Sequence, residues 1–123
     1  MNTEKKAVFF DADGTICDME KGVPDSALEA IRKLRENGHE AWLCTGRSRS
    51  FVPDYLEKIP FTGMITACGC TIEKNGERLF NKEMTPQQAW HSVEVLRRYG
   101  MVPVMEGADF MYYDKDEYHT GVN

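Results

Sequence analysis

A short apolar run that ends on two closely spaced carboxylates constrains this sequence more than any other feature. Residues 7–15 are Ala-Val-Phe-Phe-Asp-Ala-Asp-Gly-Thr. Four consecutive apolar residues next to turn residues predict a strand that is buried on both faces of a parallel sheet. Residues two apart in an extended chain share a face, so Asp11 and Asp13 are expected to point the same way. Ligands of open parallel sheets bind beyond the carboxyl ends of the strands. The sequence therefore predicts a functional site that begins at Asp11.

The residues around this acidic pair suit a cation and a phosphate group. Two carboxylates so close together repel each other unless a cation or a proton lies between them, and Mg²⁺ prefers oxygen ligands of this kind. Gly14 allows a sharp turn and a close approach of the backbone to a ligand. Thr15 adds a hydroxyl and an amide. Asp and Gly are also ordinary turn residues, so the pentapeptide alone leaves a purely structural turn open.

The pattern Asp-x-Asp-Gly-Thr after an apolar strand resembles the first signature of the haloacid dehalogenase-like hydrolases. The resemblance implies that Asp11 is the nucleophile, which forms an aspartyl-phosphate, and that Asp13 is the general acid/base. It also implies that Mg²⁺ is held by the Asp11 carboxylate and the backbone carbonyl of Asp13. Gly14 and Thr15 would contribute to phosphate binding. A carboxylate nucleophile divides one difficult displacement into two easier steps.

A helix and a second strand are predicted directly after this loop. Residues 24–37 carry an apolar stripe at helical spacing, with Pro24 as the first helical residue and Gly38 closing the end. Residues 40–44 predict a strand parallel and adjacent to the first, reached through a right-handed crossover. The second strand therefore ends beside the acidic pair.

Thr45-Gly46-Arg47 follows this second strand and resembles the second signature of the same family. The Thr45 hydroxyl is expected to donate to a phosphate oxygen, and Gly46 permits a close backbone approach. Ser48 is expected to begin a helix whose free amides favour an anion. The resemblance assigns Thr45 to phosphate binding and Arg47 to binding the substrate or orienting the site. The order and spacing of the two signatures favour the family more than either motif does alone.

The next segment completes the predicted α/β core. Residues 50–58 predict a short helix interrupted by Pro53, and residues 63–67 predict a third strand. Asn75-Gly76 predicts a hairpin with a type I′ turn. This region resembles the Cof-type branch of the family, in which Asn-Gly often follows the third strand. Here Cys68-Gly69 stands there instead, so no role is assigned to position 68.

From residue 83 the pattern changes to what resembles the beginning of the α/β cap of Cof-type members. Thr85 and Gln88 predict a capping box at the start of a helix, whose apolar face includes Trp90. Two antiparallel strands are predicted over residues 102–106 and 110–113. The sequence thus predicts a partial Rossmann-like core over residues 1–82 and the start of an inserted cap over 83–123, projecting away from the core.

Two further signatures that the family needs, a lysine and a second acidic pair, have no clear counterpart. Lys74 and Lys82 are conceivable substitutes for the lysine. Asp109 and Asp114 are rejected as the acidic pair because a strand is predicted between them and no helix after them. An alternative reading is therefore a catalytically incomplete fragment that folds or acts only with a partner segment. On its own the chain, which stops at Asn123, is expected to be a poor phosphatase and to be prone to self-association.

Composition excludes several classes of protein. A net charge of −5 with 28% charged residues argues against a nucleic-acid surface. No apolar run approaches the roughly 18 residues of a membrane span. The N-terminus leads straight into the first strand, so no signal peptide is expected. Four cysteines without scaffold spacing predict reduced thiols and a cytoplasmic protein. Cys68 and Cys70 resemble half a metal site, but no second pair stands at finger spacing.

The function predicted from these features is magnesium-dependent hydrolysis of a small phosphorylated metabolite. Sugar phosphates are the default substrate class that the resemblance implies. A receiver domain also places acids at strand ends and binds Mg²⁺, but it carries its phosphorylated Asp on the third strand. Here the acids follow the first strand and Thr-Gly-Arg follows the second, so the hydrolase ranks first.

Overall fold

The computed structural model describes residues 4–18 and 20–118 and contains two separate sheets. The strands of the larger sheet lie side by side in chain order. They are β1 (Ala7–Phe10), β2 (Glu40–Cys44), β3 (Gly63–Thr66), β4 (Thr71–Lys74) and β5 (Glu77–Asn81). The first three are parallel, and β4 and β5 extend the sheet as antiparallel strands. The predicted α/β class with a parallel core is confirmed.

Helices and short turns connect these strands and lead into a second, two-stranded sheet. The helices are α1 (Asp25–Glu36), α2 (Asp54–Glu57), α3 (Pro86–Arg98) and α4 (Lys115–Tyr118), and 3₁₀ turns form at Arg49–Phe51 and Ala67–Gly69. The second sheet pairs β6 (Val104–Glu106) with β7 (Met111–Tyr113). Within the ranges that the structure describes, no helix has the length and apolar character that crossing a bilayer requires.

The β1–α1–β2 unit forms as the hydrophobic pattern predicts. Ile31, at the centre of the apolar stripe of α1, is only 1% exposed and packs in one cluster with Leu43 of β2. Gly38 follows the helix with a φ of +84°, a conformation that glycine adopts without a steric cost. Pro24 lies one position earlier than predicted, because its ψ of 147° makes it the extended N-cap residue.

One buried cluster lies under the carboxyl-end loops and holds them against the sheet. Its members come from β2, from α1 and α2, from the loops that follow β1 and β2, and from the segment after α2. They are Ala12, Ile16, Cys17, Ile31, Ala41, Leu43, Val52, Leu56 and Ile59. Ala12, which separates the two aspartates of the first loop, is fully buried. The core therefore anchors the loop whose acidic side chains lie outside.

The prediction that β1 is buried on both faces is wrong for the described chain. Phe9 is 57% exposed, and the side chains of β1 alternate between exposed and half-buried. The reason is topological, since β1 lies at the edge of the sheet and pairs only with β2 among the described strands. Phe9 stacks on Trp42 of β2, with ring centroids 6.1 Å apart.

The β4–β5 hairpin forms at the predicted turn. Asn75 and Gly76 have φ values of 50° and 80°, as a type I′ turn requires. At the same end of the sheet, hydrogen bonds from Lys5, Trp42 and Lys74 lower the pKa of Glu40 to about 2. This charged cluster lies at the amino ends of the parallel strands, away from the loops that carry the predicted site.

The segment from Thr85 onward forms a helix and an antiparallel strand pair, as predicted. Thr85 and Gln88 make both hydrogen bonds of the capping box. Trp90, assigned to the apolar face of α3, is instead 60% exposed. The absence of a helix after the second strand was also wrongly predicted, because the Asp114 carboxylate accepts from the Asp116 amide and caps α4. The β6–β7 turn contacts the core instead of only projecting away from it.

Candidate active site

The two acidic residues and the threonine of the predicted site lie at one edge of the sheet. Asp11 and Asp13 follow the end of β1, and Thr45 follows the end of β2. The two strands are parallel and in register through Phe10 and Leu43. Asp11 and Asp13 are exposed and flank the fully buried Ala12, so the chain alternates here as predicted. The predicted proximity of the two loops is therefore present in the fold.

A bidentate ion pair joins the two loops. The Nε and Nη2 atoms of Arg47 donate to the two carboxylate oxygens of Asp13 at 2.8 and 2.7 Å. These hydrogen bonds, reinforced by the Arg47 charge, lower the pKa of Asp13 against the opposing effect of burial. Arg47 also donates from Nη1 to the Phe51 carbonyl at 3.4 Å and lies over the Phe51 ring. Arg47 therefore contacts Asp13 directly, and its predicted role in binding the substrate or orienting the site stays a prediction.

Asp11 has a different environment from Asp13. Its carboxylate accepts a hydrogen bond from the Thr15 hydroxyl at 3.1 Å. Within residues 4–18 and 20–118, none of the ion pairs involves Asp11. An exposed carboxylate without a cation partner is free to approach an incoming group. The arrangement thus distinguishes two acids that are only two residues apart.

The loop after Asp11 closes on itself through its backbone. Gly14, at a φ of +76°, donates from its amide to the Cys17 carbonyl at 2.9 Å, and the Thr15 amide donates to the Ala12 carbonyl at 3.2 Å. These amides stabilise the turn in this structure. Phosphate binding by Gly14 and Thr15 stays a prediction.

Thr45 is buried and held by hydrogen bonds to its own loop and to β3. The residue is 4% exposed, and its Oγ1 accepts from the Arg47 amide at 3.2 Å. Its own amide donates to the Ile65 carbonyl of β3 at 2.9 Å. The helix predicted from Ser48 is wrong, because only a three-residue 3₁₀ turn follows. An anion beside Thr45 would therefore be bound by side chains and not by the N-terminus of a helix.

A turn that no sequence motif pointed to supports this loop from the other side. In the turn after β3, the Ala67 amide donates to the Arg47 carbonyl at 2.7 Å and the Cys68 amide to the Thr45 carbonyl at 3.3 Å. Ala67 and Cys68 have φ values of 50° and 53°, which non-glycine residues seldom adopt. A Cβ on Gly46 would lie 3.5 Å from the Cys68 sulfur, so that sulfur packs against the loop.

All four cysteines are free thiols. Cys17 is buried with its sulfur 4.0 Å from Asp13 Oδ1, and burial, followed by the Asp13 charge, raises its pKa. Among the described residues, no group of three or more His, Cys, Asp or Glu side chains could hold a metal ion. Within the described residues, no further His, Cys, Asp or Glu side chains are therefore grouped with Cys68 and Cys70 as metal ligands.

The two candidate lysines lie at different ends of the sheet. Lys74 opposes Gly63, the first residue of β3, and its amine pairs with Glu40 at the amino end. Lys74 therefore does not lie beside Asp11 and does not substitute for the lysine that the family places there. Lys82 follows β5 and its amide donates to the Cys70 carbonyl, at the carboxyl end of the parallel strands. The remaining acidic candidates, Asp109 and Asp114, pair with arginines.

A cleft of about 780 Å³ lies between the larger sheet and the α3–β6–β7 segment. Its core side includes Ser48, Arg49 and Lys82, and its other side includes Met105 and Tyr112. Asp11, Asp13 and Thr45 do not line it. The cleft therefore begins directly after the Thr-Gly-Arg loop and leads toward the second sheet.

Comparisons with known proteins agree with this arrangement. The sequence model of the haloacid dehalogenase-like hydrolases matches residues 8–122. YkrA of Bacillus subtilis (strain 168) is 35% identical over 66 residues, 54% of this chain and 26% of YkrA. YwtE of the same organism, named 5-amino-6-(5-phospho-D-ribitylamino)uracil phosphatase, is 30% identical over 88 residues, 72% of this chain and 30% of YwtE. A crystal structure of a hypothetical protein from Geobacillus kaustophilus HTA426 is 26% identical, with a TM-score of 0.77, and covers 88% of this chain and 42% of that one.

The matches span less than half of each relative's length, from 26% to 42%. The match to the family, in contrast, extends over residues 8–122 of this chain and includes both the Asp11 loop and the Thr45 loop. The chain is a member of the haloacid dehalogenase-like hydrolases, a family that includes phosphatases.

Proposed function

We propose that this chain provides the nucleophile, the general acid/base and the phosphate-binding threonine of a phosphatase for small phosphorylated metabolites. The observation that carries the proposal is the meeting of the Asp11–Asp13 loop with the Thr45–Arg47 loop through the Arg47–Asp13 pair. A two-step phosphoryl transfer needs a carboxylate nucleophile and a second carboxyl group that donates and accepts protons.

In the first step, an oxygen of the Asp11 carboxylate forms a bond to phosphorus. The bond from phosphorus to the leaving oxygen breaks, and that oxygen takes a proton from Asp13. In the second step, water attacks the phosphorus of the acyl phosphate and gives a proton to Asp13. The Asp11 carboxylate leaves and inorganic phosphate is released. The buried Thr45 hydroxyl donates to a non-bridging oxygen in both steps.

The Arg47 contact has a consequence for the first step. Arg47 lowers the pKa of Asp13 and so favours its ionised form, whereas a general acid must hold a proton. We infer that Arg47 moves toward the doubly charged phosphate when substrate binds, which returns the pKa of Asp13 toward its ordinary value. The phosphate offers the guanidinium a bidentate partner of the same geometry as the carboxylate.

Oxygen ligands for Mg²⁺ are present in the first loop, although the described residues provide only part of a coordination shell. The Asp11 carboxylate and the carbonyl oxygen of Asp13 would hold the ion, and water and substrate would occupy its other positions. When bound, Mg²⁺ supplies positive charge between the nucleophile and the phosphate. The Asp13 carboxylate is occupied by Arg47, so Asp11 is the side chain that fits the ion.

The substrate class follows from the cleft beside the site and from the relatives. YwtE carries the name of a phosphatase for a phosphorylated ribityl compound. The cleft of about 780 Å³ could receive the organic part of a sugar phosphate or of a similar small ester. We assign residues 1–82 to the core and residues 83–123 to the beginning of a cap that contacts this part of the substrate.

Location and assembly complete the proposal. Four free thiols fit a reducing compartment, so we propose a cytoplasmic protein. The exposed Phe9 and the edge of β1, which pairs with no described strand other than β2, would favour self-association of the chain on its own. Because the described residues offer one side-chain ligand for Mg²⁺ in the site, the 123-residue chain by itself would be a poor catalyst.

Hydrolysis of p-nitrophenyl phosphate with Mg²⁺ tests the nucleophile assignment. Asp11→Asn should lower kcat by at least about a hundredfold, the loss typical of removing an essential catalytic group. Asp25→Asn, a change at an exposed aspartate in the first turn of α1, is the matched control and should keep wild-type turnover. Acid-quenched enzyme should also carry hydroxylamine-sensitive phosphate on the peptide that contains Asp11. Unchanged turnover in Asp11→Asn would refute the mechanism.

A further inference from the structure

The turn between β6 and β7 contacts the core immediately after the Thr-Gly-Arg loop. The Ser50 hydroxyl donates to the Gly107 carbonyl at 2.7 Å. The Arg78 guanidinium donates to both carboxylate oxygens of Asp109, at 3.2 and 2.8 Å. Ser50 belongs to the 3₁₀ turn Arg49–Phe51. Ser50 therefore fastens the turn of the second sheet to the segment that follows Arg47, and Arg78 fastens the same turn to β5.

Alternating charges extend this contact into the core. Arg49 pairs with Glu57 of α2 and with Glu73 of β4, and Glu73 also forms an ion pair with Arg78 of β5. Arg78 in turn pairs with Asp109. The side chains of Arg49 and Glu73 are 24% and 16% exposed, so solvent screens the inner pairs less than the outer one. The ion pair with Glu73 therefore fixes the position of Arg78, and with it the contact between Arg78 and Asp109.

The same 3₁₀ turn also fixes Arg47. The Phe51 carbonyl accepts from Arg47 Nη1 at 3.4 Å, and the Phe51 ring lies 5.1 Å from the guanidinium carbon. Ser50 precedes Phe51 in the sequence, and its hydroxyl donates a hydrogen bond to the Gly107 carbonyl of the β6–β7 turn. Arg47 in its turn holds the Asp13 carboxylate. A continuous series of contacts therefore runs from the β6–β7 turn to Asp13.

We propose that residues 106–109 form a latch that positions Arg47 against Asp13, with Ser50, Arg78 and Asp109 as positioning residues. When the latch is fastened, the 3₁₀ turn is held and Arg47 is restricted to its site. When it opens, Arg47 gains freedom and its bonds to Asp13 weaken. The effect on catalysis rests on the proposed function, whereas the effect on Arg47 itself does not.

Hydrogen exchange at the Arg47 side chain tests the latch without any activity. The Arg47 Nε–H signal in ¹⁵N spectra is assigned by its loss in Arg47→Lys. Arg78→Ala and Asp109→Ala should each speed its exchange with water by about fivefold, the order of effect expected from breaking one exposed Arg–carboxylate pair. Exchange at Arg47 in the double variant should be only slightly faster than in either single variant, because both changes break the same Arg78–Asp109 contact.

The control variant is Arg32→Ala, which breaks Arg–carboxylate pairs with Glu29 and Glu36 inside α1 and should leave the Arg47 signal unchanged. With p-nitrophenyl phosphate, the latch variants should not lower kcat, because the proposed first step has Arg47 leave Asp13, and KM should stay unchanged. Exchange at Arg47 equal to that of the Arg32→Ala control would overturn the latch, whatever happens to kcat. Turnover that Asp11→Asn leaves unchanged would refute the proposed function, and the exchange experiment would still decide the latch.

Discussion

Replacing Arg47 with methionine should destabilise the protein by about 1–2 kcal/mol at neutral pH. The change removes two hydrogen bonds to Asp13, of 2.8 and 2.7 Å, and keeps most of the aliphatic stem. Hydrogen bonds to charged groups contribute about 1.5–3 kcal/mol when shielded. The Asp13 side chain is 39% exposed, so screening reduces the pair to about 1 kcal/mol. Loss of the cation–π contact with Phe51 adds about 0.5 kcal/mol.

This penalty should depend on pH, because the hydrogen bonds of Arg47 lower the pKa of Asp13 below its ordinary value of 3.8. A carboxyl group whose pKa is lower in the folded state stabilises the fold above its unfolded pKa. That stabilisation is lost as the pH falls through the folded pKa. The difference between wild type and Arg47→Met should therefore be constant above about pH 5 and shrink on acidification below the ordinary aspartate pKa.

Urea unfolding, followed by the fluorescence of the 8% exposed Trp42, measures this difference. The control is Arg32→Met, whose partners lie on the same helix and whose exposed ion pairs should contribute little to stability. In thermal melts, Arg47→Met should lower Tm by about 4 °C for each kcal/mol. Two results would refute the reasoning: a loss no larger than that of the control, or an equal loss at neutral pH and at pH values well below the Asp13 pKa.

Three further changes test packing and charge. A Cβ at Gly63 would lie 2.4 Å from the Glu73 carbonyl oxygen, so Gly63→Ala should cost at least about 1–3 kcal/mol in urea unfolding, and an unchanged midpoint would contradict the packing of β3. Ile31→Ala should cost about 2–5 kcal/mol because Ile31 is 1% exposed in the core, and a loss below that of an exposed α1 alanine substitution would contradict its burial. Hydrogen bonds, from Lys5 foremost, lower the pKa of Glu40 from 4.5 to about 2. Wild type should therefore lose stability relative to Glu40→Gln as the pH falls from 4.5 toward 2, and parallel pH profiles of the two proteins would contradict it.

Local signals predicted the fold accurately where neighbouring residues decide the structure. The Asn75-Gly76 turn needs two positive φ values, and the sequence supplies the residues that tolerate them. The capping box of α3 is completed within four residues, by Thr85 and Gln88. In each case the energy that selects the conformation comes from residues adjacent in the chain, so inspection of the sequence is enough to find it.

Predictions failed where distant contacts decide. The apolar composition of β1 predicts burial on both faces, but exposure of Phe9 is set by which strands flank β1. The Arg47–Asp13 pair joins residues 34 positions apart, so the sequence suggested only that Arg47 lies near the site. The contacts of Asp109 with Arg78 depend on where the second sheet lies against the first, which no local pattern encodes.

The different environments of Asp11 and Asp13 show why the site needs the second strand. The two residues have the same side chain, lie on one loop and are both exposed. Their local sequence gives no reason for one to act as a nucleophile and the other to handle protons. Only the parallel placement of β2 brings Arg47 to Asp13, leaving Asp11 with a neutral hydroxyl partner. The pairing of β1 with β2 therefore gives two identical side chains different partners, and this difference supports the separate roles that we propose for them.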